Sequence, residues 1–388
     1  MPNGGATPAA AAWAAPYNAR MPAVLDVCIR GAGVVGRTLA LLLARERLRV
    51  GLSALPAAAG KTDVRAYALN AASRQLLQDL RAWPDDSHAT PVAGIEVFGD
   101  EGGQVRFEAG TEGALAWIVD VPALEQRLAE ALRFQPLVTE LPEPQQAGLT
   151  VVSEGRDSAS RAALGVEYDA HRYGQHALAA RLACEIPHGN VARQWFADGE
   201  ILALLPMGGA GEPSGGNSVA LVWSVRQDHA RDLLAAQPGD FEEALLAASR
   251  GALGRLTLSS ERKAWPLQIA TARRWCGPGW VLAGDAAHNV HPLAGQGLNL
   301  GLADARALAQ VLHEREYWRS PGDVKLLRRY ERARKADVLA MGLATDGLQQ
   351  LFARGEPAVA SARNWGMRGF DRSGRLKDWV VRQAAGRL

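Results

Sequence analysis

The feature that most constrains the fold is a short run of glycines near the start of the chain. Gly31, Gly33 and Gly36 form a GxGxxG pattern between an apolar segment and a segment with apolar residues around most of its surface. This order predicts a buried strand, a tight turn and a buried helix. The first glycine would permit the turn, the second would let an anion approach, and the third would let helix and strand pack. The amides of Val34 and Val35 would then face a pyrophosphate, the alternative being a turn without a ligand.

The usual partner of such a glycine turn is missing. About twenty residues further on, at the end of the second strand, an Asp or Glu normally holds a ribose hydroxyl. Here Ser53 and Ala54 occupy that position. A serine hydroxyl bonds a ribose more weakly than a carboxylate does. We therefore expect altered binding at the adenosine side of a dinucleotide.

Length, charge and cysteine content narrow the class of protein. The 388 residues allow two or three domains, and 48% hydrophobic with 22% charged residues is typical of a globular chain. The 43 basic and 41 acidic residues nearly cancel, which argues against nucleic acid as a partner. Cys28, Cys184 and Cys276 are far apart and form no CxxC pair, so we expect a reducing compartment and no metal site.

The ends of the chain differ from its centre. Residues 1–22 are rich in Ala, Pro and Gly and lack the order of a signal peptide, so they predict a disordered tail. No apolar run reaches the roughly 18 residues of a membrane span, which favours a cytoplasmic location.

Strand-like runs separated by turn residues at 174–226 predict an antiparallel sheet. The last 65 residues predict helices with mixed charge.

A second glycine-rich stretch, "GDAAHNVHPLAGQGLNLGLADA", follows an apolar strand at 284–305 and leads into a helix near Gly297. Asp285, His288 and His291 would suit a metal, but they precede a proline in a loop rather than sharing a helix face. An Asp–His hydrolytic pair would need a nucleophile, and no GxSxG is present. A cofactor cradle is the interpretation that remains. Asp285 would accept hydrogen bonds from sugar-like hydroxyls, and the amides at the helix start would face electron-rich atoms.

Several stretches, in order along almost the whole chain, resemble one family. Residues 23–388 resemble the FAD-dependent aromatic hydroxylases (class A flavoprotein monooxygenases, p-hydroxybenzoate-hydroxylase-like fold), and most of all the ubiquinone-biosynthesis branch. The matching stretches are "GAGVVG", "DVRAYALNAAS", "IPHGNVARQWFADGEILALLPM", "WPLQIATARRW", "GDAAHNVHPLAGQGLNLGLAD", "LRRYERARKADVLAM" and "TDGLQQLF". The resemblance implies an α/β protein with a Rossmann-like FAD-binding domain of the GR2 type, an antiparallel-sheet substrate domain and a helical C-terminal region.

The division of the chain implied by this resemblance is discontinuous. The FAD-binding domain would take 23–65, 119–165 and 268–320. The substrate domain would take 66–118 and 166–267. The C-terminal helical region would take 321–388.

The resemblance also implies which residues hold FAD. Those at the pyrophosphate and adenosine would be Gly31, Gly33, Val34, Val35, Gly36 and Ser53. Those around the ribityl chain and the ring would be Arg65, Glu154, Gly155, Gly284, Asp285, Pro292, Gly295, Gln296, Gly297, Leu298 and Asn299. The helix start would face the flavin atoms that become negative on reduction, which favours the reduced anion.

The chemistry implied by the resemblance is hydroxylation of an aromatic ring. NADH or NADPH would reduce FAD, O2 would give a C4a-hydroperoxyflavin, and one oxygen would pass to a ubiquinone precursor, with or without a prenyl chain. Since the cofactor carries the chemistry, no catalytic side chain is assigned, and the protein must exclude water. The antiparallel sheet would cover the substrate ring. Trp195, Trp223 and His291 are its candidate substrate contacts.

The sequence departs from the family pattern at several positions expected to lie at or near the cofactor. Besides the missing ribose-binding acid, Glu154 stands where Asp is usual, Val121 and Pro122 stand where polar residues are usual, and the segment 135–150 is short. Together they leave two alternatives: a degenerate accessory or scaffold protein of quinone biosynthesis that binds FAD weakly or not at all, or another flavin oxidoreductase. Association with a biosynthetic complex or with the inner-membrane surface stays open. The run "LRRYERARK" is interpreted as a solvated helix face, with membrane contact as its alternative.

Overall fold

The structure is a computed structural model that describes residues 25–54, 63–99, 102–109, 113–208, 216–289 and 296–353. The predicted tail at 1–22 lies outside these ranges, as do three predicted site residues, His291, Pro292 and Gly295. At Gln296 and at 341–353 only the backbone is described.

Strands and helices are interspersed in the first third of the chain, strands dominate the middle, and two long helices follow. The strands are β1 (Leu25–Arg30), β2 (Val50–Ser53), β3 (Ala66–Leu69), β4 (Ala89–Val92), β5 (Gly94–Phe98), β6 (Gln104–Glu108), β7 (Ala116–Asp120), β8 (Val138–Leu141), β9 (Ala147–Val152), β10 (Tyr168–Cys184), β11 (Val191–Ala197), β12 (Glu200–Met207), β13 (Ser218–Arg226), β14 (Leu256–Leu258), β15 (Lys263–Ala272), β16 (Cys276–Gly277), β17 (Trp280–Leu282) and β18 (His288–Asn289). The helices are α1 (Val34–Arg45), α2 (Ala71–Asp79), α3 (Val121–Arg133), α4 (Ala159–Ala163), α5 (Gln227–Ala235), α6 (Pro238–Ala248), α7 (Gln296–His313) and α8 (Val324–Ala353).

The predicted βαβ unit forms the centre of the first sheet. Its strand order is β16-β17-β9-β1-β2-β8, and the strands from β17 to β8 run parallel. Helix α1 packs against α3 and α7, and β1 and β2 are buried on both faces, as their apolar sequences predict. The carboxyl ends of the parallel strands therefore meet at one edge. In open α/β sheets this edge is where ligands bind.

A larger, mostly antiparallel sheet covers the second half of the fold and confirms the sheet predicted at 174–226. Its strand order is β18-β15-β10-β13-β12-β11-β5-β6, with β14 also paired to β10. Strands β5 and β11 pair in parallel, so residues 94–108 extend this sheet. Helices α5 and α6 pack on one face, where the apolar side chains of Leu178, Leu202 and Phe241 are buried.

The opposite face of the large sheet packs on a small sheet in the order β3-β7-β4. Ala192, Met207 and Ala220 of the large sheet contact Val92 and Ile118 of the small one. The small sheet thus joins the large sheet to the parallel-sheet half. Helix α2 begins beside it, and Asn70 caps this helix by accepting a hydrogen bond from the Ser73 amide.

The last two described helices lie on the parallel-sheet half. Helix α7 packs against α1 and α8, and α8 reaches β16. The "LRRYERARK" run lies on α8, and it is not uniformly solvated: Tyr330 and Arg334 are buried, whereas Arg328 and Arg329 are exposed. Among the described residues, no helix combines enough length with enough apolar character to cross a membrane.

Candidate functional site

The glycine turn between β1 and α1 has the shape of an anion cradle. Gly31 has φ +109°, and a Cβ there would lie 2.4 Å from the carbonyl oxygen of Ser153. A Cβ on Gly36 would lie 1.9 Å from the carbonyl oxygen of Gly31. At Gly33, in contrast, a Cβ would meet no atom within 4 Å. The first and third glycines are therefore required for packing, while the second leaves open space beside the helix start.

The amides at the start of α1 are available to a ligand. Gly33 is the N-cap of this helix and has no side chain to accept their hydrogen bonds. Val34 is buried, and the Val35 side chain packs between Gly284 and Gly301, so both residues would act through their backbone. An anion with two or more oxygens fits this open, uncapped helix end.

At the end of β2, the two residues in the ribose position differ in accessibility. Ser53 is 4% exposed, and its carbonyl oxygen accepts a hydrogen bond from Gly31 at 2.9 Å, so it helps to close the turn. Ala54, the next residue, is exposed. A side chain at position 54 can reach a bound ribose more readily than the buried Ser53 can.

The turn after β17 is the second half of the cradle, and its backbone is held at several points. The Gly284 amide, at φ +63°, donates to Asp304 at 2.9 Å. The carbonyl oxygen of Asp285 accepts from the Tyr168 hydroxyl at 3.0 Å, and that of Ala286 accepts from Arg161 at 3.1 Å. Burial raises the pKa of Tyr168 to about 12, so its hydroxyl stays a donor. These contacts fix the backbone while the Asp285 side chain projects outward.

The Asp285 carboxyl is exposed to solvent but surrounded by protein. Burial raises its pKa, against the opposing effects of His288, Arg156 and Arg65. Solvent can reach this side chain, but the surrounding protein shields its carboxyl group from most water, and this combination is found in a concave site. A carboxylate placed there accepts hydrogen bonds from ligand hydroxyls more strongly than one in bulk water.

Behind this turn lies a buried charge network. Asp304 of α7 is fully buried and accepts from His288 Nε2 at 2.6 Å and from Arg334 Nε at 2.7 Å. Burial alone would raise the pKa of Asp304, but His288 and Arg334 outweigh it and lower that pKa. The His288 ring also stacks on Trp275, with ring centroids 4.9 Å apart. His288 therefore supports the turn from inside.

Arg65 lies on the same side of the molecule as Asp285, where its charge acts on that carboxyl. Its guanidinium binds Asp63 through a 2.6 Å ion pair, which raises the pKa of Arg65 further. Its carbonyl oxygen accepts from Arg181, which also pairs with Asp120 at 2.6 Å. Arg65 thus stands at the contact between the large sheet and the parallel-sheet half.

Glu154 binds the start of the short helix α4, whose N-cap is Ser158. Its carboxylate accepts from the Ser158 hydroxyl at 2.7 Å and from the amide and hydroxyl of Ser160 at 3.0 and 2.6 Å. Burial raises the pKa of Glu154, but these hydrogen bonds outweigh it and lower the pKa. Gly155 follows at φ +81°, with open space around its Cα. The Glu154 side chain is thus used within the protein, whereas Gly155 leaves space at the surface.

The start of α7 is anchored through Asn299. Its side-chain oxygen accepts from Asn70 N at 3.1 Å and Ser73 Oγ at 2.7 Å, and its amide donates to the Ala68 carbonyl at 2.9 Å. Asn299 is therefore used to fix the helix rather than offered to a ligand through its side chain. Gly297 has open space around it, so the helix start can be approached closely. Leu298 is half-buried and packs on the main core.

The two tryptophans expected near the substrate lie on the other face of the large sheet. Trp195 is 3% exposed and stacks on Phe98, and Trp223 is 4% exposed and packs edge-on against His229. Both belong to the core under α5 and α6. This packing argues against the stacking role expected for them, because both rings are covered by protein.

Sequence reasoning missed the residues that support the turn from a distance. Arg161, Tyr168, Asp304 and Arg334 come from four separate elements and carry no local motif. Asp304 sits inside an apolar helical pattern at a position that faces the core, and a buried charge at such a position needs a partner. That was the signal available in the sequence.

The residues present fit a dinucleotide that carries a polyhydroxyl chain. One end of the site offers the uncapped helix and open space at Gly33, and the other offers the Asp285 carboxylate. The Val35 side chain lies beside Gly284, so the two ends are adjacent. A pyrophosphate next to a ribityl chain has this order of groups.

Comparison with known proteins gives the same assignment. A family profile described as "FAD binding domain" matches residues 143–342. The ubiquinone hydroxylase UbiL of Rhodospirillum rubrum is 31% identical over 94% of this chain and 90% of its own length. The 3-demethoxyubiquinol 3-hydroxylase of Escherichia coli is 30% identical over 93% of this chain and 98% of its own length.

Solved structures agree on the fold. A probable FAD-dependent monooxygenase of Pseudomonas aeruginosa, PqsL, superposes with a TM-score of 0.71 at 21% identity, over 88% of this chain and 99% of its own. The p-nitrophenol 4-monooxygenase PnpA of Pseudomonas putida superposes with a TM-score of 0.72 at 16% identity, over 92% of this chain and 96% of its own. The chain thus shares its overall fold with these FAD-binding monooxygenases.

Proposed function

The chain belongs to the FAD-dependent aromatic hydroxylases, in the branch of the ubiquinone hydroxylases, and from this premise we propose that it hydroxylates the ring of a ubiquinone precursor with NAD(P)H and O2. The observation that carries the proposal is the two-ended cradle formed by Gly33 and Asp285. A degenerate accessory protein would not need to keep both ends. The intact cradle therefore does not favour that alternative.

Each end of the cradle has a distinct role in holding FAD. The amides at the start of α1 bind the pyrophosphate, and the space at Gly33 lets it approach. Asp285 accepts hydrogen bonds from the ribityl hydroxyls, and its held backbone keeps the carboxylate in place. The start of α7, next to Gly297, would present its positive dipole end to electron-rich atoms of the ring.

FAD held in this cradle would supply the redox chemistry: with two electrons from NAD(P)H it would activate O2, so that one oxygen atom enters the aromatic ring and the other leaves as water. The chain's own task is to hold the ring, orient the substrate and exclude water. Arg65, which is paired with Asp63 and whose charge acts on Asp285, is a cationic group on this side of the site.

The face of the large sheet that turns away from α5 and α6 suits the substrate ring. Strand register places Ala179, Ala203 and Val222 in one row across this face. Arg181, two residues from Ala179 on the same face, reaches the Arg65 carbonyl, so the row lies toward the flavin side. Small apolar side chains leave room for an aromatic ring and its alkyl substituent. This row replaces Trp195 and Trp223 as the proposed substrate surface.

The test begins with the purified protein and its flavin. We expect a yellow protein whose NAD(P)H oxidation is stimulated by a prenylated phenol, with one atom of ¹⁸O2 recovered in the hydroxylated product. Asp285→Asn should lower flavin content, whereas Asp157→Asn, a matched change at an exposed side chain, should not. Val222→Phe should raise the KM for the phenol and leave flavin content unchanged. A colourless protein that takes up no added FAD would overturn the proposal.

A further inference from the structure

Helix α8 makes polar contacts with residues that precede the Asp285 turn or hold it in place. Arg334 donates to Asp304 at 2.7 Å and to the Leu300 carbonyl at 3.3 Å. Tyr330 donates its hydroxyl to the Leu282 carbonyl at 3.1 Å, at the end of the strand that leads into the turn. Polar contacts from α8 therefore reach both the strand before the turn and the acid that holds it.

A second route runs from α8 through Trp275. Glu331 accepts from the Trp275 amide at 2.9 Å, and the Trp275 ring lies fully buried against His288. His288 in turn bonds the same oxygen of Asp304 that accepts from the Gly284 amide. Both routes from α8 thus end on Asp304.

Asp304 can hold the turn only while it stays ionised and in place. It is fully buried, and a buried carboxylate is strongly unfavourable without partners. Arg334 is 5% exposed and supplies the positive charge. If α8 moved away, Asp304 would lose that charge, and the Gly284 amide would lose a firmly placed acceptor.

We propose that Asp304 and Arg334 are positioning residues that couple helix α8 to the Gly284–Asp285 turn, so that docking of α8 and binding of FAD strengthen each other. The inference rests on the proposed function, because it takes FAD as the ligand of Asp285. Coupling between two sites is reciprocal, so each event must favour the other by the same factor.

The first experiment compares FAD with ADP, which occupies only the pyrophosphate and adenosine end. Arg334→Gln should weaken FAD binding by about tenfold, a typical size for coupling through one buried network, and leave the dissociation constant of ADP unchanged. Arg334→Lys should restore part of the loss, since it keeps the charge. Arg328→Gln, the same change at an exposed position of α8, should leave both constants unchanged.

A double-mutant cycle separates positioning from general destabilisation. If Arg334 acts through the turn, Arg334→Gln should weaken FAD little further in an Asp285→Ala background. Additive losses, or equal losses of FAD and ADP affinity, would overturn the inference. A wild-type chain that binds ADP but no FAD would instead overturn the proposed function.

The unmodified chain provides a test that does not depend on folding of a variant. FAD should slow amide hydrogen exchange in residues 324–338 of α8, and ADP should not. Equal protection by both ligands, or by neither, would overturn the coupling.

Discussion

The two ends of the FAD cradle are built in different ways. At the glycine turn, the requirements are met by three backbone positions within six residues and by the neighbouring Ser153. At the Asp285 turn, the backbone is held by side chains from β10, α4 and α7, with α8 behind them. One end therefore depends on the absence of side chains, and the other depends on distant ones. Added atoms should therefore disrupt the glycine turn, whereas the loss of a charged side chain should disrupt the Asp285 turn.

The largest effect should come from adding a methyl group at the glycine turn. Gly36→Ala would place a Cβ 1.9 Å from the Gly31 carbonyl oxygen, so we expect a loss of about 1–3 kcal/mol in the free energy of unfolding, or more. Gly33→Ala adds the same methyl group where no atom lies within 4 Å. It should leave the stability of the apoprotein unchanged and weaken FAD binding.

Urea unfolding of both apoproteins and titration with FAD would check this pair. A Gly33→Ala variant with wild-type affinity for FAD would show that the pyrophosphate does not approach there. A stable Gly36→Ala apoprotein would mean that α1 can move away from β1.

Asp304 and Asp285 should affect the pH dependence of stability with opposite signs. This effect should be smaller than that of the glycine substitutions. The folded-state pKa of Asp304 lies below the ordinary value of 3.8, so its stabilisation is present above pH 3.8 and is lost as the pH falls through the folded value. The pKa of Asp285 is raised, so its ionisation costs stability as the pH rises through its folded value. His288, Arg156, Arg65 and Asp304 are the charged groups that act on Asp285.

Two amide variants make this difference measurable. At pH 8, Asp304→Asn should be less stable than wild type, whereas Asp285→Asn should be at least as stable but bind less FAD. The advantage of Asp285→Asn should vanish near pH 3.8, where the wild-type carboxyl is protonated. Chemical unfolding of the apoproteins from pH 8 to below pH 3.8 would check both signs, because the deficit of Asp304→Asn should narrow only below pH 3.8. A loss of stability in Asp285→Asn at pH 8 would contradict the raised pKa.

This contrast also explains how far the sequence could lead. The glycine turn, the antiparallel sheet and Asp285 as a candidate acceptor for ligand hydroxyls follow from local patterns, because spacing and alternation reflect backbone geometry directly. The network around Asp304 does not, since His288, Asp304 and Arg334 are brought together only by the packing of α7 and α8. The surroundings of Trp195 and Trp223 could likewise not be predicted from the sequence alone. Alternation places them on one face of a strand, but only the packing of α5 and α6 shows which face is the core.

The smallest expected effect concerns the acid that is missing at the adenosine end. Ser53 is buried and its carbonyl oxygen closes the glycine turn, so the exposed Ala54 is the position from which a carboxylate could reach a ribose. Ala54→Glu should tighten FAD binding by up to about tenfold, the value of one charge-assisted hydrogen bond, with Ala54→Gln as the uncharged control. Titration of the two apoproteins with FAD and with riboflavin would locate the gain, because riboflavin lacks the adenosine. If Ala54→Glu tightened both ligands equally, the carboxylate would be acting elsewhere, and the ribose would not lie at the end of β2.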